Sequence, residues 1–524
     1  MPDFDLILVL LVAVAVIVSI ARRIGVAYPI LLVIGGIVLG LVPGVPEIDL
    51  DPSLVLVIFL PPLVFAAAWE TPVRDFRENL VAVLLLSVGL VLFTVAVVGV
   101  AALAVVPGLL VAGAFVLGAI VAPSDALAAT TVLERVDVPR RVRAVLEEES
   151  LLNDATALTA YRTAVIAALS GSFVLGDALS TFAVATLGGL AIGLLVAGAV
   201  DFLWERLDDP PVEVTLSLVI PYVAFLPAEA VGASGVIAAV TAGIILGYRS
   251  PRILSPETRL LATSAWEMLT FVLNGFAFLL VGLEVRPVLA TIERPLPELV
   301  VGAIAVSVAV IGARAAWVYG ALYLPHLVAR FRGRPSKAMR PAVPLVVSWA
   351  GMRGAISLAA ALALPATFED RNLILILTAV VIAVTLLGQG LTLPLVVRLV
   401  ELPPGTIDVE EETLARNRQT EAALARLDEL GEEWAGHAPL IENLRGRYRH
   451  RLEHLPDEDE SGERIMSPER QQELDEHHLI STAVIAAERE TLIGLRDRAE
   501  ISDAVLRRLE RELDLEEARL EVEL

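Results

Sequence analysis

The chain has no cysteine among its 524 residues. Disulfide frameworks, thiol catalysis and cysteine-ligated metal sites are therefore excluded. Lysine is almost missing too, because Lys337 is the single example and arginine supplies nearly all of the positive charge. No GxxxxGK[ST] phosphate-binding motif occurs, and the glycine-rich stretches follow no predicted strand. The sequence therefore predicts neither a nucleotide site nor a nucleic-acid partner.

Apolar residues dominate what is present. They make up 56% of the chain, and the mean hydropathy is +0.73. Runs of roughly 18 or more mostly apolar residues, the length of a membrane-spanning helix, recur through the first 400 positions. We predict a transmembrane domain over residues 1–400 with thirteen helices, at about 4–21, 28–42, 53–69, 79–105, 109–131, 146–169, 178–203, 212–227, 231–247, 265–283, 299–323, 341–364 and 371–398.

The basic residues of the loops predict the orientation, because cytoplasmic loops carry the excess of arginine and lysine. One set of alternate loops holds only Arg286, Arg294 and Arg371. The other set holds Arg22, Arg23, Arg74, Arg77, Arg135, Arg140, Arg141, Arg143, Arg206, Arg249, Arg252, Arg259, Arg330, Arg332, Arg334, Lys337 and Arg340. We therefore expect a multi-pass protein of the inner (plasma) membrane, with its N-terminus outside and its C-terminus in the cytoplasm. No basic segment precedes the first apolar run, so we expect that run to be a retained helix and not a signal peptide.

The composition changes after residue 400. Two prolines and an acidic run, ELPPGTIDVEEE, end the apolar part, and residues 401–524 alternate charged and apolar residues at helical spacing. We predict a helical, regulatory cytoplasmic tail with a loop in LPDEDESGERIMSPER. Five of the six histidines fall here, namely His437, His450, His454, His477 and His478. They lack the spacing of zinc ligands, which favours solvated surface histidines over a metal site or a pH sensor.

The predicted fifth helix contains Pro123 in mid-span, followed at once by Ser124 and Asp125. Proline removes a backbone donor and clashes with the preceding turn of a helix. A helix broken at that depth leaves backbone groups unpaired, which is tolerated where they line a cavity or bind an ion. A simple proline kink with a serine cap is the structural alternative.

The predicted sixth helix carries a compact polar group within its span. Glu149 and Asn153 are four residues apart, as are Ser150 and Asp154, so each pair lies along one helix face. Their carboxylate, hydroxyl and amide oxygens are the ligands that hard cations prefer. A polar helix end at the membrane interface is the alternative, but Asp154 lies further into the span than that explanation allows. Because ionisable residues within spans mark functional sites, we predict an ion site here.

In the predicted twelfth helix, Gly351 and Gly354 flank Arg353 within an apolar run. Glycine on both sides lets the backbone leave helical geometry. An arginine buried there needs an acidic partner or backbone carbonyls, and Glu149 is the candidate partner. An arginine that only holds helices together is the alternative. The other arginines within predicted spans, which we interpret as structural or interfacial, are Arg162 and Arg314.

Three stretches together carry a resemblance to a known family: APSDALAATT at 122–131, ESLLNDA at 149–155 and SWAGMRGAISLAAAL at 348–362. They resemble the signatures of the monovalent cation:proton antiporter-1 family, the sodium/proton exchangers. The likeness continues through SGVIAAVTAGIILG and FVLNGFAFLLVGLE, and it extends over essentially all thirteen predicted helices.

The resemblance implies an all-α polytopic membrane protein of two inverted repeats, in which discontinuous fifth and twelfth helices cross at mid-membrane. It implies an antiporter, not an enzyme, that exchanges Na⁺, with Li⁺ or K⁺ as further candidates, for H⁺ by alternating access. Members of the family are usually dimers, so we expect a homodimer in the lipid bilayer. The resemblance implies no cofactor beyond the transported Na⁺ and H⁺.

The resemblance also assigns roles to residues of the predicted ion site. Asp154 would bind either the cation or a proton. Asp125 and Ser124 would lie at the helix break, and Ser150 would offer a hydroxyl ligand. Na⁺ would therefore contact Asp154, Ser150 and Ser124. Asn153 stands where electrogenic relatives carry a second aspartate, which implies electroneutral exchange.

Two further features follow from the resemblance. Glu149 and Arg353 would form a buried charge pair, so that Glu149→Gln would leave Arg353 without its partner. Many relatives have an acidic residue after the Phe of the PPL-x-F motif in the third helix. Here LPPLVFAAAWE places Ala66 at that position, and the next acid is Glu70. The sequence therefore predicts neither a ligand from the third helix nor the ion selectivity.

Other functions stay open from the residues. A potassium/proton antiporter and a cation channel gated by the tail are the alternatives among transporters, and electroneutral flux that ignores membrane voltage would argue against the channel. A membrane enzyme is a third, since Asp125 and Asp154 could form the dyad of an intramembrane hydrolase. No GxGD-like motif, Ser-His pair or metal cluster accompanies the two aspartates in the sequence.

Overall fold

The computed structural model describes residues 2–42, 52–133, 136, 138–170, 175–290, 294–331, 342–365, 367–400, 406–453, 457–458, 464–465, 468–498, 509, 513 and 515–517. Two compact units divide the chain, Met1–Pro404 and Gly405–Leu524. We call them the first and the second unit.

Helices connected by short turns and breaks make up the described residues of the first unit. Its helices are α1 Pro2–Ile24, α2 Tyr28–Leu41, α3 Pro52–Glu70, α4 Val73–Leu84, α5 Val91–Val105, α6 Val111–Val121, α7 Ala126–Leu133, α8 Arg140–Ser170, α9 Leu175–Trp204, α10 Pro210–Ala230, α11 Gly235–Ile253, α12 Pro256–Leu283, α13 Val285–Ala290, α14 Leu296–Phe331, α15 Ala342–Trp349, α16 Ala355–Leu362, α17 Arg371–Ala383 and α18 Gly390–Leu399. The π-helical segments Leu85–Leu90 (π1) and Val384–Gln389 (π2) join α4 to α5 and α17 to α18.

Eight stretches of the described residues are helical, long and apolar enough to cross a membrane: Ile7–Ile24, Asn79–Val105, Val111–Leu133, Gly176–Trp204, Pro210–Ala230, Pro256–Pro287, Leu296–Ala321 and Arg371–Leu399. Two shorter apolar helices lie at Tyr28–Leu41 and Leu56–Glu70. Helix α8 has the length of a span, but its first half is rich in charged residues. The chain is thus an all-helical membrane protein in its first unit, whereas the count of thirteen crossings stays a prediction.

The predicted fifth helix is interrupted where proline predicts it. Helix α6 ends at Val121, and α7 begins at Ala126. Asp125, just before α7, accepts a hydrogen bond at Oδ1 from the amide of Ala128, at 3.2 Å. A side-chain acceptor at this position satisfies one of the free amides at the start of a helix, so the sequence SDALA both stops one helix and starts the next.

The predicted twelfth helix is interrupted at its glycines. Helix α15 ends at Trp349, and α16 begins after Gly354. The backbone amide of Asp125 donates to the carbonyl oxygen of Met352, at 2.8 Å. The two interruptions are therefore in direct contact, and each supplies a partner for a backbone group that the other leaves free.

The described helices of the first unit bury several apolar clusters, and the one with the most residues joins α1, α2, α7, α8, α12, α15 and α18. Helices α5, α6, α14, α16 and α17, the core group, bury residues such as Leu117. Helices α3, α9, α10, α11 and α12, the scaffold group, bury residues such as Leu246. Helix α8 lies against the scaffold group through Leu151 and Ala155, which share a cluster with Phe225 of α10. The helix that carries the predicted ion site thus lies where the two groups meet.

The second unit is also mainly helical. Its elements are α19 Thr406–Glu433, a 3₁₀ turn at Ala435–His437, α20 Ala438–Glu453, a two-residue antiparallel ladder between Asp457–Glu458 and Arg464–Ile465, and α21 Pro468–Asp497. Arg445 of α20 donates to Asp428 of α19, at 2.7 Å. The described histidine side chain, His437, lies edge-on to Trp434 at a ring distance of 5.5 Å. The side chains of the other four tail histidines lie outside the described residues.

Candidate functional site

The predicted ion site lies on α8 beside the break between α6 and α7. Glu149 and Asn153 are each 1% exposed, and Asp154 is 4% exposed. They lie on successive turns of a continuous helix, so their spacing alone holds them together on its buried side. The polar residues of ESLLNDA are therefore interior groups of the first unit and not a solvated helix end.

Ser124 joins α8 to the break. Its hydroxyl donates to Oε1 of Glu149, at 2.7 Å. The amide Nδ2 of Asn153 donates to the carbonyl oxygen of Ser124, at 2.9 Å, and to its hydroxyl oxygen, at 3.0 Å. Ser150 donates to the same carbonyl over 3.5 Å, a long and weak bond. The structure thus brings Ser150 and Asn153 into hydrogen-bonding contact with Ser124, which lies outside the helices.

Asp154 differs from its neighbours in having a free carboxylate. No side chain or amide within the described ranges hydrogen-bonds or ion-pairs with it. Asp125 is close enough to repel it electrostatically. Two carboxylates that face each other in a low-dielectric interior cannot both stay ionised without a compensating charge. The arrangement is suited to a group that is neutralised by a bound cation or by a proton.

The site offers no ligand set for a metal held by several acidic or imidazole groups. Among the residues that the structure describes, no three His, Cys, Asp or Glu side chains lie close enough to share a metal ion. Neutral oxygens of Ser150, Asn153 and Ser124 lie together where α8 meets the break. Hydroxyl, amide and carbonyl oxygens beside a carboxylate are ligands that hard cations prefer.

The predicted pairing of Glu149 with Arg353 is wrong. Arg314 of α14 binds both oxygens of Glu149, with NH1–Oε1 at 2.6 Å and NH2–Oε2 at 2.9 Å. Both side chains are almost fully buried. A two-bond contact of this kind satisfies the planar carboxylate and guanidinium together. The arginine that we interpret from the sequence as structural or interfacial is therefore the counter-ion of the predicted site.

Arg353 takes the other option that the sequence leaves open and binds backbone carbonyls. Its Nε donates to the carbonyl of Val121, at 2.9 Å, and NH2 donates to that of Ala122, at 3.3 Å. NH1 donates to the carbonyl of Gly351 in its own segment. The free carbonyls at the C-terminal end of a helix attract positive charge, so Arg353 stabilises the end of α6. It joins the two breaks without a direct bond to Glu149.

The glycines of the second break are required by close approach. A Cβ atom on Gly354 would lie 1.7 Å from Oδ2 of Asp125. A Cβ atom on Gly351 would lie 2.1 Å from Cδ of Arg314. Neither separation leaves room for a methyl group, so the glycines let the backbone of one break contact the functional side chains of the other.

We expect Gly354→Ala to displace the carboxylate of Asp125 and to lower cation-dependent proton flux by about tenfold or more, since small displacements of functional groups carry large penalties. Gly312→Ala is the matched control, because nothing lies within 4 Å of a Cβ atom at that helical glycine. Flux is measured in everted vesicles and divided by the amount of protein in the membrane. Equal specific flux from the two variants would show that transport does not depend on the close contact at Gly354.

Ala66, which stands where the resemblance expects an acidic residue, has apolar contacts in the structure. Ala66 is half-buried on α3 and packs against the apolar core of the scaffold group. Glu70, the next acid, ends α3 and is exposed. Helix α3 therefore contributes apolar contacts with α8, through residues such as Val64, and brings no carboxylate from position 66.

Comparisons with known proteins show which family the chain matches. Residues 8–399 match the family described as Sodium/hydrogen exchanger, transmembrane. An uncharacterized Na⁺/H⁺ exchanger of Mycobacterium tuberculosis is 36% identical over 530 residues, which cover 99% of this chain and 96% of that protein. The Na⁺/H⁺ antiporter ApNhaP of Aphanothece halophytica is 33% identical over 407 residues, which cover 76% of this chain and 75% of that protein.

A solved structure shares the fold. The sodium/proton antiporter MjNhaP1 from Methanocaldococcus jannaschii at pH 8 matches with a TM-score of 0.60. The match covers 76% of this chain and 99% of that chain, at 19% sequence identity. At this identity the likeness establishes the fold and carries no residue roles.

Proposed function

The chain belongs to the sodium/hydrogen exchanger family, and on that basis we propose that it exchanges one Na⁺ for one H⁺ at Asp154. Membership makes it a multi-pass membrane transporter of the antiporter class. The observation that carries the proposal is the buried carboxylate of Asp154, which lacks a hydrogen-bond or ion-pair partner in the described part of the chain. A carboxylate at such depth requires a cation or a proton to offset its charge.

In the proposed site, Na⁺ contacts oxygens of Asp154, Ser150 and Ser124, and Asp125 lies beside them. Asn153 supports this arrangement from its amide side, because Nδ2 is turned towards Ser124. Its Oδ1 atom is buried and has no hydrogen-bond partner among the described residues. That oxygen is therefore available to the cation, as carbonyl and hydroxyl oxygens are preferred by hard ions.

The charges around the crossing support a one-to-one exchange. Taken as ionised, the three carboxylates and two guanidinium groups there sum to one net negative charge; they are Asp125, Glu149, Asp154, Arg314 and Arg353. One Na⁺ or one proton neutralises that set, whereas two would leave it positive. Transport is then electroneutral, because the site crosses the membrane with no net charge in either loaded form.

Coupling follows from competition for a single group. An empty, ionised Asp154 is costly to move through a dry barrier. When Na⁺ occupies the site the proton is excluded, and when the proton occupies it the carboxylate no longer attracts Na⁺. Each half of the cycle therefore moves one ion, and the proton gradient drives the cation without a second pathway.

The proposed alternating access involves the core group and the scaffold group of helices. We propose that the core group and α8 move relative to the scaffold group, so that Asp154 meets one side of the membrane at a time. Arg162 of α8 forms an ion pair with Glu229 of α10, and Glu229 also accepts from the amide of Gly235, at 2.9 Å. This pair joins the two moving parts and would have to separate or shift during the cycle.

The remaining architecture is proposed with the function. Thirteen crossings in two inverted repeats would make α6–α7 and α15–α16 equivalent pairs of half-helices. The arginine distribution places the N-terminus outside and residues 401–524 in the cytoplasm as a regulatory tail. A homodimer in the plasma membrane would bury part of the lipid-facing apolar surface of α1 and α9.

The test is exchange by the purified protein in sealed vesicles that carry a pH gradient. Addition of Na⁺ is expected to dissipate the gradient, and a K⁺ diffusion potential of either sign, set with an ionophore, is expected to leave the rate unchanged. Li⁺, K⁺ and choline are compared with Na⁺. Choline is the control, because it is too large to be coordinated by the oxygen ligands of a site for a small cation.

Each other outcome has a distinct meaning. A response to K⁺ but not to Na⁺ would establish a potassium/proton antiporter. Cation flux that follows the membrane potential without moving protons would establish a channel. Either result would contradict the proposal of electroneutral Na⁺/H⁺ exchange.

A further inference from the structure

The thirteenth predicted span has a line of polar residues that the proposed site does not use. Between Asn372 and Arg398 the polar side chains are Thr378, Thr385, Gln389 and Thr392. Their spacing of seven, four and three residues puts them on one side of a helix. We call these four residues the polar stripe.

The polar stripe faces the second break. The amide of Arg353 donates to Oγ1 of Thr385, at 3.1 Å. The indole Nε1 of Trp349 donates to Oγ1 of Thr392, at 2.9 Å. These two bonds fix the stripe along the segment that separates α15 from α16. Gln389 lies between them in the sequence, on the same side of the helix.

Among the described residues, Thr378 and Gln389 are the two members of the stripe whose side chains have no partner, and the larger of the two is the amide Gln389. It is 2% exposed, and neither Nε2 nor Oε1 has a hydrogen-bond partner among the residues that the structure describes. Leaving a buried polar group unpaired destabilises a fold, and leucine at this position would avoid that penalty. A glutamine that stays unpaired in an apolar setting is expected to have a ligand.

The local backbone points to the same conclusion. Gln389 is the last residue of π2, a wider helical turn of a kind that is frequent at functional sites. The next residue, Gly390, would place a Cβ atom 3.2 Å from the sulfur of Met352. Met352 in turn accepts the backbone hydrogen bond from Asp125. The backbone that follows Gln389 therefore lies against Met352, the residue of the second break that bonds to Asp125.

We propose that Gln389 is a specificity-determining residue for the transported cation, an inference that rests on the proposed exchange. Its amide oxygen replaces water in the shell of a monovalent cation that passes between the end of α15 and the crossing. Amide oxygens suit Na⁺ and related ions. Because the amide is neutral, it changes which ion is favoured without changing the number of charges exchanged.

The test compares Gln389→Leu, Gln389→Asn and the parent in proteoliposomes, over a range of Na⁺, Li⁺ and K⁺ concentrations. Gln389→Leu is expected to raise the KM for Na⁺ about tenfold, the effect of losing one ligand to a charged group, with kcat largely kept. The ratio of KM for Li⁺ to that for Na⁺ is expected to change as well. Gln389→Asn keeps the amide on a shorter side chain and is expected to restore part of the affinity.

Ser307→Ala is the matched control. Ser307 is also buried on a helix, α14, and its hydroxyl has no partner in the described part of the chain. Loss of that hydroxyl is expected to leave both KM and the ion ratios at the parent values. An equal change in the two variants would mean that any buried polar group acts this way, which would overturn the proposal.

The remaining outcomes are also decisive. Unchanged KM and ion ratios in Gln389→Leu, or a loss of kcat that is equal for all three ions, would show a structural role and overturn the inference. If Gln389→Leu fails to assemble, thermal stabilisation of Gln389→Asn by each cation replaces the flux assay, and parent-like stabilisation by all three would overturn it. Absence of exchange by the parent would instead contradict the proposed function itself.

Discussion

Replacing Asp154 with asparagine is expected to abolish cation-dependent proton flux. The amide keeps the shape of the side chain but can neither release a proton nor offset the charge of Na⁺. Asp154 has no bond to other described residues, so its loss leaves no partner behind and the fold is expected to survive. Flux is measured by recovery of a pH-sensitive dye in everted vesicles after addition of Na⁺, normalised to protein in the membrane.

Asp177→Asn is the matched control for this substitution. Asp177 lies in the first turn of α9 and is exposed. The same chemical change there is expected to leave flux at the parent level, because an exposed charge at a helix end contributes little. Parent-like exchange by Asp154→Asn would show that Asp154 is not the ion site, even though the chain belongs to the exchanger family.

The second large effect concerns the stability of the crossing. Glu149→Gln is expected to destabilise the protein by about 3–5 kcal/mol, since it leaves the guanidinium of Arg314 buried without a counter-ion. Arg314→Met is expected to have an effect of similar size for the same reason. The measurement is the melting temperature of the detergent-purified protein, followed by loss of the folded peak in size-exclusion chromatography.

Two comparisons make this prediction specific. The double variant Glu149→Leu with Arg314→Met removes both charges and is expected to melt closer to the parent than either single variant, because neither charge is left alone. Arg249→Gln breaks a partly exposed pair with Asp201, at 2.8 Å, and is expected to lower stability by at most about 1 kcal/mol. A double variant less stable than both single variants would contradict a role for the pair as mutual counter-ions.

The sequence predicts the local features of this site well. Pro123 and the glycines around Arg353 interrupt helices for reasons contained in a few residues, and the structure has both interruptions. The i,i+4 spacing on α8 likewise places Glu149 and Asn153 along one helix face and Ser150 and Asp154 along the next in any continuous helix. What depends on short-range geometry can be read from the chain alone.

The partner of Glu149 could not be predicted from the local sequence. Three arginines lie within predicted spans, and two of them, Arg314 and Arg353, are buried in the structure. Arg353 is next to glycines in a break, which suggests function, whereas Arg314 lies in an ordinary apolar helix. The choice between them is set by how α14 packs against the break, where Gly351 admits the side chain of Arg314. That contact joins residues distant in sequence and has no local signal.

The sequence also does not single out the polar stripe, for a different reason. Thr378, Thr385 and Gln389 are visible in the sequence as the few polar groups of an apolar span. Threonine in a membrane helix usually bonds to its own backbone, as Thr385 does with the carbonyl of Val381, at 2.8 Å. The stripe therefore carries no functional signal until the structure shows which break it faces and that Gln389 is unpaired.

Proton release on cation binding shows whether Asp154 holds either a cation or a proton. Purified protein in weakly buffered solution is titrated with Na⁺ while bound Na⁺ and released H⁺ are both measured, for the parent and for Asp154→Asn. We expect one proton to be released for each Na⁺ bound by the parent, and neither binding nor release by the variant. Na⁺ binding without proton release by the parent, or parent-like release by the variant, would show that Asp154 is not the shared site.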